Sequence, residues 1–196
     1  TAKPTLAPTK EAPPTQTPAA SNPSDSADSG ASPAQKYLPT AAQVGGDFTV
    51  TEDSTRTRDE VAQSFGDPND ATAKLKQWGW KENAYRTFEV PAAKQTDPTA
   101  TTYITVSVHH FSTGENTKAA FTYFADAVVS AQGMTDVDVQ TIGNQTRELT
   151  SNSADAHLVV LYIRYGNYLI RLGASSPSGD PGPELIALAK QLVPAS

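Results

Sequence analysis

HLVVLYIRYGNYLIRL, His157–Leu172, is the stretch whose reading decides the fold. Two apolar runs flank Gly166-Asn167, and glycine in a two-residue loop accepts the positive φ that hairpin turns demand. The spacing predicts a β-hairpin in which Tyr165 faces Tyr168, Ile163 faces Ile170 and Leu161 faces Leu172. Strand side chains alternate between faces. Val159, Leu161, Ile163, Tyr165, Tyr168, Ile170 and Leu172 therefore share one face, and it is a core face. Leu158, Val160, Tyr162, Arg164, Leu169 and Arg171 share the other, a mixed surface for water, a helix or a partner to cover.

Working outward, the neighbouring segments supply that cover. Ala120, Phe121, Phe124, Ala127, Val128 and Ala131 recur at helical spacing. Ser112-Thr113-Gly114-Glu115 has the spacing of a capping box before that helix, and Gly133 stands where a helix ends. Tyr103–Phe111 alternates as a strand, with Ile104, Val106, Val108 and His110 opposite Tyr103, Thr105, Ser107, His109 and Phe111. Residues 80–90 form a second such segment. Asp67-Pro68 opens a helix that stops at Gly79, and the Thr57–Glu60 capping box opens a shorter one ended by Gly66. Asp47–Glu52 reads as a short strand with Phe48 and Val50 on one face. After the long helix, 137–142 and 145–150 read as extended segments around Gly143-Asn144. Pro183 opens a terminal helix bearing Leu185, Ile186, Leu188, Ala189 and Leu192. This order predicts an α+β domain: an antiparallel β-sheet flanked by helices, an α/β sandwich.

Composition divides the chain near residue 38. In residues 1–36 Leu6 is the only large apolar side chain, and eight of the 15 prolines stand at or before Pro39. Such a segment buries too little surface to offset its chain entropy. The expected organisation is a disordered Pro/Ala/Thr/Ser-rich tail over 1–38, a linker or tether, followed by a single domain over 39–196. The tail could also serve as an arm that orders along a partner, and its Thr, Ser and Pro content permits O-glycosylation. Asn144-Gln145-Thr146 is an N-glycosylation sequon. The chain starts at Thr1, which fits a removed signal peptide or a lipid-bearing cysteine upstream.

The amphipathic helix, IGNQTREL at Ile142–Leu149, VVLYIRYGNYLIRLGA at Val159–Ala174 and the terminal helix together resemble a pattern of secreted and lipid-anchored bacterial proteins. There a GDEAR-like strand precedes an RxGNxxxxL-like hairpin, matched here by Ile142–Leu149 and Arg164–Leu172. The extracellular sensor-like domains of some bacterial Ser/Thr kinases and lipoproteins with PsbP-like α/β/α sandwiches share it. The resemblance spans roughly residues 100–192 and implies the fold and an extracytoplasmic place, secreted, periplasmic or anchored at the cell surface. It brings no catalytic residues. The chain departs from the kinase-sensor pattern in having no cysteine.

The remaining chemistry is sparse. A net charge of −6 disfavours nucleic acid as a partner, since phosphate binding needs clustered Lys and Arg. No apolar run reaches the roughly 18–20 residues of a membrane span. His109 and His110 are adjacent on a strand and point to opposite faces, so no metal site is expected. No nucleophile elbow, P-loop or dinucleotide fingerprint occurs, and no cofactor is implied. Asp67, Asn69 and Asp70 read as a helix cap. Two groups suit binding. Trp78 and Trp80 flank Gly79, with Tyr103 and Phe111 as further aromatic candidates for a pocket wall. Tyr162, Arg164 and Arg171 suit a protein interface. The expected function is therefore non-catalytic: an extracytoplasmic protein-binding module, accessory subunit or envelope component, its partner held in part by the 1–38 tail. The alternative is a sensor-like domain holding a small molecule or lipid between sheet and helices.

Overall fold

The computed structural model describes residues 32–153 and 156–194. Most of the expected tail, and its tether or docking role, thus lies outside the described residues. The described chain runs through a 3-10 turn at Gln35–Tyr37, α1 (Ala41–Val44), β1 (Thr49–Thr55), α2 (Arg58–Ala62), α3 (Pro68–Gln77) and β2 (Glu82–Glu89). It continues with β3 (Tyr103–His110), α4 (Gly114–Gln132), β4 (Thr135–Val137), β5 (Gln145–Asn152), β6 (His157–Tyr165), β7 (Tyr168–Ser176) and α5 (Gly182–Leu192).

The seven strands form one antiparallel sheet in the order β1-β2-β3-β7-β6-β5-β4. The β6–β7 hairpin has the expected register, Tyr165 opposite Tyr168, Ile163 opposite Ile170 and Leu161 opposite Leu172, and Gly166 turns at φ +55°. Its first face joins Ile104, Val106 and Val108 of β3 and Leu185, Leu188, Ala189 and Leu192 of α5 in one core. Its second face buries Val160, Tyr162 and Leu169 under Ala120, Phe121, Phe124 and Ala125 of α4, with Val61 of α2 and Ala71 and Leu75 of α3 beside them. The mixed surface is therefore covered by a helix, and the domain is an α/β/α sandwich with a core on each sheet face.

Several boundaries differ from the sequence reading. Ser32–Leu38, placed in the tail by composition, belongs to the domain. Ala34, Tyr37 and Leu38 are buried, and Glu82 accepts hydrogen bonds from Ser32 Oγ (2.7 Å) and the Ala34 amide (2.9 Å). Three buried side chains suffice to seat a segment whose average composition is polar. At the edge of the sheet, β1 begins two residues later than expected, and its register shifts between Val50 and Glu52, leaving Val50 at 44% exposure. α2 stops at Ala62, ahead of Gly66. α4 is capped by Thr113, whose Oγ1 accepts the Asn116 amide, and not by Ser112. The apolar stripe of α4 holds through Phe124, whereas Ala131 is exposed because the last turn reaches the surface. Of 137–142 only the first residue is in β4; the rest is a loop.

Candidate binding cleft

The end of α3 places the two tryptophans. Gly79 adopts φ +60°, the Gly79 amide donates to Lys76 O (3.0 Å) and the Trp80 amide to Leu75 O (2.9 Å), the pair of bonds that defines a Schellman termination. A Cβ at Gly79 would lie 2.5 Å from Ser112 Oγ, so the close approach of the α4 start also requires glycine. The reversal sends Trp78 and Trp80 apart. Trp78 packs edge-on to Tyr123 of α4 (centroids 5.4 Å apart) in the second core. Trp80 turns towards β3 and donates its Nε1 hydrogen to His109 Nδ1 (3.3 Å).

His109 is locked. An indole N–H can only donate, so Nδ1 accepts and the imidazole proton sits on Nε2, which donates to Ser107 Oγ (3.0 Å). Burial, followed by the charges of Arg171 and Arg56, pushes its pKa down to about 3, so the ring is neutral at ordinary pH. Asn83 completes the buried polar cluster. It is 1% exposed, and its Nδ2 donates to Ser107 Oγ (2.9 Å), Val108 O (3.1 Å) and Ala84 O (3.3 Å). Its Oδ1 is buried and has no hydrogen-bond partner.

Beside this cluster the ends of β1 and β2 and the start of α2 enclose an open cleft of about 440 Å³. Arg56, Arg58, Trp80, Lys81, Glu82 and Asn83 line it, with Ser32 and Thr57 at its rim. The Arg56 guanidinium lies 3.5 Å from the centroid of the Tyr85 ring. Its carboxylate neighbour is Glu52, an exposed contact at 3.7 Å one helical turn's spacing away in sequence. Arg58 Nε is buried without a hydrogen-bond partner. Glu82, the one carboxylate among the lining residues, is engaged by Ser32, the Ala34 amide and His110 Nδ1 (3.4 Å). The arrangement is a cationic cleft with one aromatic wall. It can bind an anion, and its one carboxylate, Glu82, is held by Ser32 and the Ala34 amide.

Of the residues singled out in the sequence, only Trp80 lines this cleft. Phe111 is fully buried in the second core. Tyr103 begins β3, at the opposite strand end from His109 and His110; burial and the neighbouring Tyr85 hydroxyl push its phenol pKa up. Tyr162 is 1% exposed beneath α4, opposite Arg171 on the hairpin, and burial raises its pKa despite that cation. Arg164 is half-buried, and its Nε lacks a partner. Asn144 is exposed but its Oδ1 accepts the Gly166 amide (2.7 Å) and its amide donates to Arg164 O (2.8 Å), tying the sequon to the hairpin turn. His110 lies on the face opposite His109, stacked on Tyr168 at 4.7 Å. Among the described residues no three His, Asp or Glu side chains converge as metal ligands.

Arg56, Arg58, Lys81 and Asn83 were not legible as site residues. The one available signal was the Arg-Thr-Arg triplet at 56–58, and the capping role of Thr57 accounted for it.

No family model matches the chain, and no curated protein matches it in sequence. Among solved structures, the extracellular domain of PknH from Mycobacterium tuberculosis superimposes with a TM-score of 0.54 at 11% identity, over 81% of this chain and 93% of that one. At that identity the likeness shows a shared fold. No helix among the described residues is long and apolar enough to cross a membrane.

Proposed function

We propose that this chain is a non-catalytic, extracytoplasmic binding module that takes its ligand in the cleft beside Trp80. The composition of that cleft carries the reading. Three cations, Arg56, Arg58 and Lys81, share it with a single carboxylate that is already engaged by the N-terminal segment and His110. In a chain of net charge −6 such a concentration of positive charge selects for an anionic ligand. The compartment is supported by the fold shared with a domain described as extracellular, and by the Pro/Ala/Thr-rich composition of residues 1–31, which suits a tether. A second reading, an accessory subunit that grips another protein through its N-terminal segment, draws support from the same composition.

One capture experiment separates the two. The full chain and a chain beginning at Ser32, which keeps the contacts to Glu82, are used as bait in a native envelope extract, and the eluates are weighed by native mass spectrometry. The cleft reading expects a small ligand on both baits that disappears in an Arg58→Gln, Lys81→Gln double variant. A stoichiometric protein retained by the full chain alone, with no small ligand on either, would replace it with the subunit reading.

A further inference from the structure

We propose that Glu148 and Asp180 form a proton latch: one proton held between their carboxyls fastens the start of α5 to β5, and its loss loosens that end of the helix.

Glu148 is a carboxylate on the sheet face that α5 covers. It stands opposite Leu161 of β6, and residues paired across strands point the same way, so its side chain enters the core beneath the helix. It is 8% exposed and, among the described residues, takes part in no hydrogen bond and no ion pair. Unlike the sealed Asn83 Oδ1, its oxygens keep an edge of solvent contact, so protons reach them. Asp180 stands just before the helix. The position a Cβ would take on Gly182 lies 3.0 Å from Glu148 Oε1 and 3.1 Å from Asp180 Oδ1. The two carboxylates thus look at each other across the bare side of one glycine. Asp180 is exposed, and the Gly182 amide takes only its Oδ1 (2.9 Å), which leaves Oδ2 for a proton from Glu148.

No neighbouring cation neutralises the buried charge. A helix start ordinarily favours a carboxylate through its free N–H groups. Here Pro181 and Pro183 carry none, and the Gly182 N–H is given to Asp180. Along the sheet Glu148 faces Leu161 and, on β4, Val137, while Arg147 and Asp136 bond to each other on the opposite face. On α5, Glu184 is exposed and Lys190 donates to Gln140 (3.2 Å). Asp138 is exposed in the loop after β4, and His157 lies at the start of β6. Burial first, and then the charge of Asp180, hold the Glu148 carboxyl above its ordinary value of 4.5.

A buried carboxylate without a partner is relieved by a proton or by a metal cation. Calcium takes about 6–8 oxygens, and among the described residues no third His, Asp or Glu joins the pair. A proton needs only two oxygens. Protonated Glu148 donates to Asp180 and ties β5 to the helix start; with both groups ionised, like charges repel across the same gap.

The test uses the full chain labelled with ¹³C and ¹⁵N. NMR follows the Glu148 carboxyl carbon and the Leu185 amide, which donates to Pro181 O (3.1 Å) in the first turn of α5. The expected carboxyl midpoint lies above 4.5 and falls in Asp180→Asn, which keeps an oxygen for the Gly182 N–H. As the pH rises through that midpoint, Leu185 protection, corrected for intrinsic exchange, should fall about tenfold for each unit by which the midpoint exceeds 4.5. Glu148→Gln is uncharged at every pH and still a donor, so Leu185 should stay protected throughout. A midpoint at or below 4.5, a midpoint that Asp180→Asn does not move, or one pH course for Leu185 in both wild type and Glu148→Gln would overturn the latch. So would calcium chloride restoring Leu185 protection at neutral pH as acid does, because the pair would then be a metal site.

Discussion

His109 shows how a single side chain records its surroundings in the pH dependence of the whole domain. Folded, it sits 4% exposed between the Trp80 indole and Ser107, with its pKa pushed down to about 3; unfolded, it titrates near its ordinary value of 6.5. Between those values the unfolded chain binds a proton that the folded chain refuses, so stability rises with pH across that window. The contribution is complete above about 6.5 and is lost as the pH falls towards 3, at a rate of about 1.4 kcal/mol per pH unit. Acid unfolding followed by circular dichroism should therefore begin to weaken the protein below pH 6.5, ahead of the ordinary carboxylate range. His109→Gln should flatten that upper limb. The imidazole resonances of His109 should also stay constant down to about pH 4; a titration midpoint near 6.5 in the folded protein would mean that the ring is not locked against Trp80.

At the scale of elements, the legible and the illegible parts of the fold separate by the range of the forces involved. The β6–β7 hairpin, α3 with its Asp67 cap and Gly79 stop, and the apolar stripe of α4 through Phe124 follow from spacing within a few residues, and they stand where the sequence puts them. The bulge in β1 and the cap of α4 depend on what lies across the fold. Ser112 and Thr113 are equally good caps by residue type. Ser112 is drawn away because its hydroxyl donates to Trp78 O (3.3 Å) and accepts from Asn116 Nδ2 (2.8 Å), leaving Thr113 to take the Asn116 amide. The same limit hid the cleft. Trp80 was visible as an aromatic, but its cations come from the end of β1, the start of α2 and the approach to β2, which no local spacing connects. The division of labour at the α4 start has a measurable consequence. Thr113→Ala should cost about 1 kcal/mol, the usual value of a lost N-cap, and lower the melting temperature by about 2–4 °C. Ser112→Ala should cost less, because the hydroxyl is exposed and water can replace it at both Trp78 O and Asn116 Nδ2. Thermal unfolding of the two variants decides it, and a larger loss for Ser112 would restore the cap that the sequence suggested.

Across the whole molecule, the sheet carries two cores, and the first of them is closed at one edge by the segment that composition assigns to the tail. Tyr37 lies against both hairpin tyrosines, edge-on to Tyr165 at 5.9 Å and tilted on Tyr168 at 4.8 Å. Tyr168 carries the His110 ring on its other neighbour contact, and the Lys36 ammonium sits 4.9 Å from the Tyr168 centroid. Further along, Pro39 O accepts a hydrogen bond from Arg86 (2.8 Å), and Ser32 joins Glu82 at the rim of the cleft. The segment thus couples the hairpin, the centre of the fold, to the carboxylate that tempers the cationic cleft. Removing its anchor tests that coupling. Tyr37→Ala takes away an aromatic side chain that is 7% exposed and should cost about 3 kcal/mol, a fall of roughly 6–12 °C in melting temperature for a domain of this size. Loosening the segment would also release Ser32 and the Ala34 amide from Glu82, and hydrogen exchange at the Ala34 amide should accelerate more than exchange in β6 and β7. Were the melting temperature unchanged and the Ala34 amide still protected, Tyr37 would hold neither the hairpin nor the cleft rim.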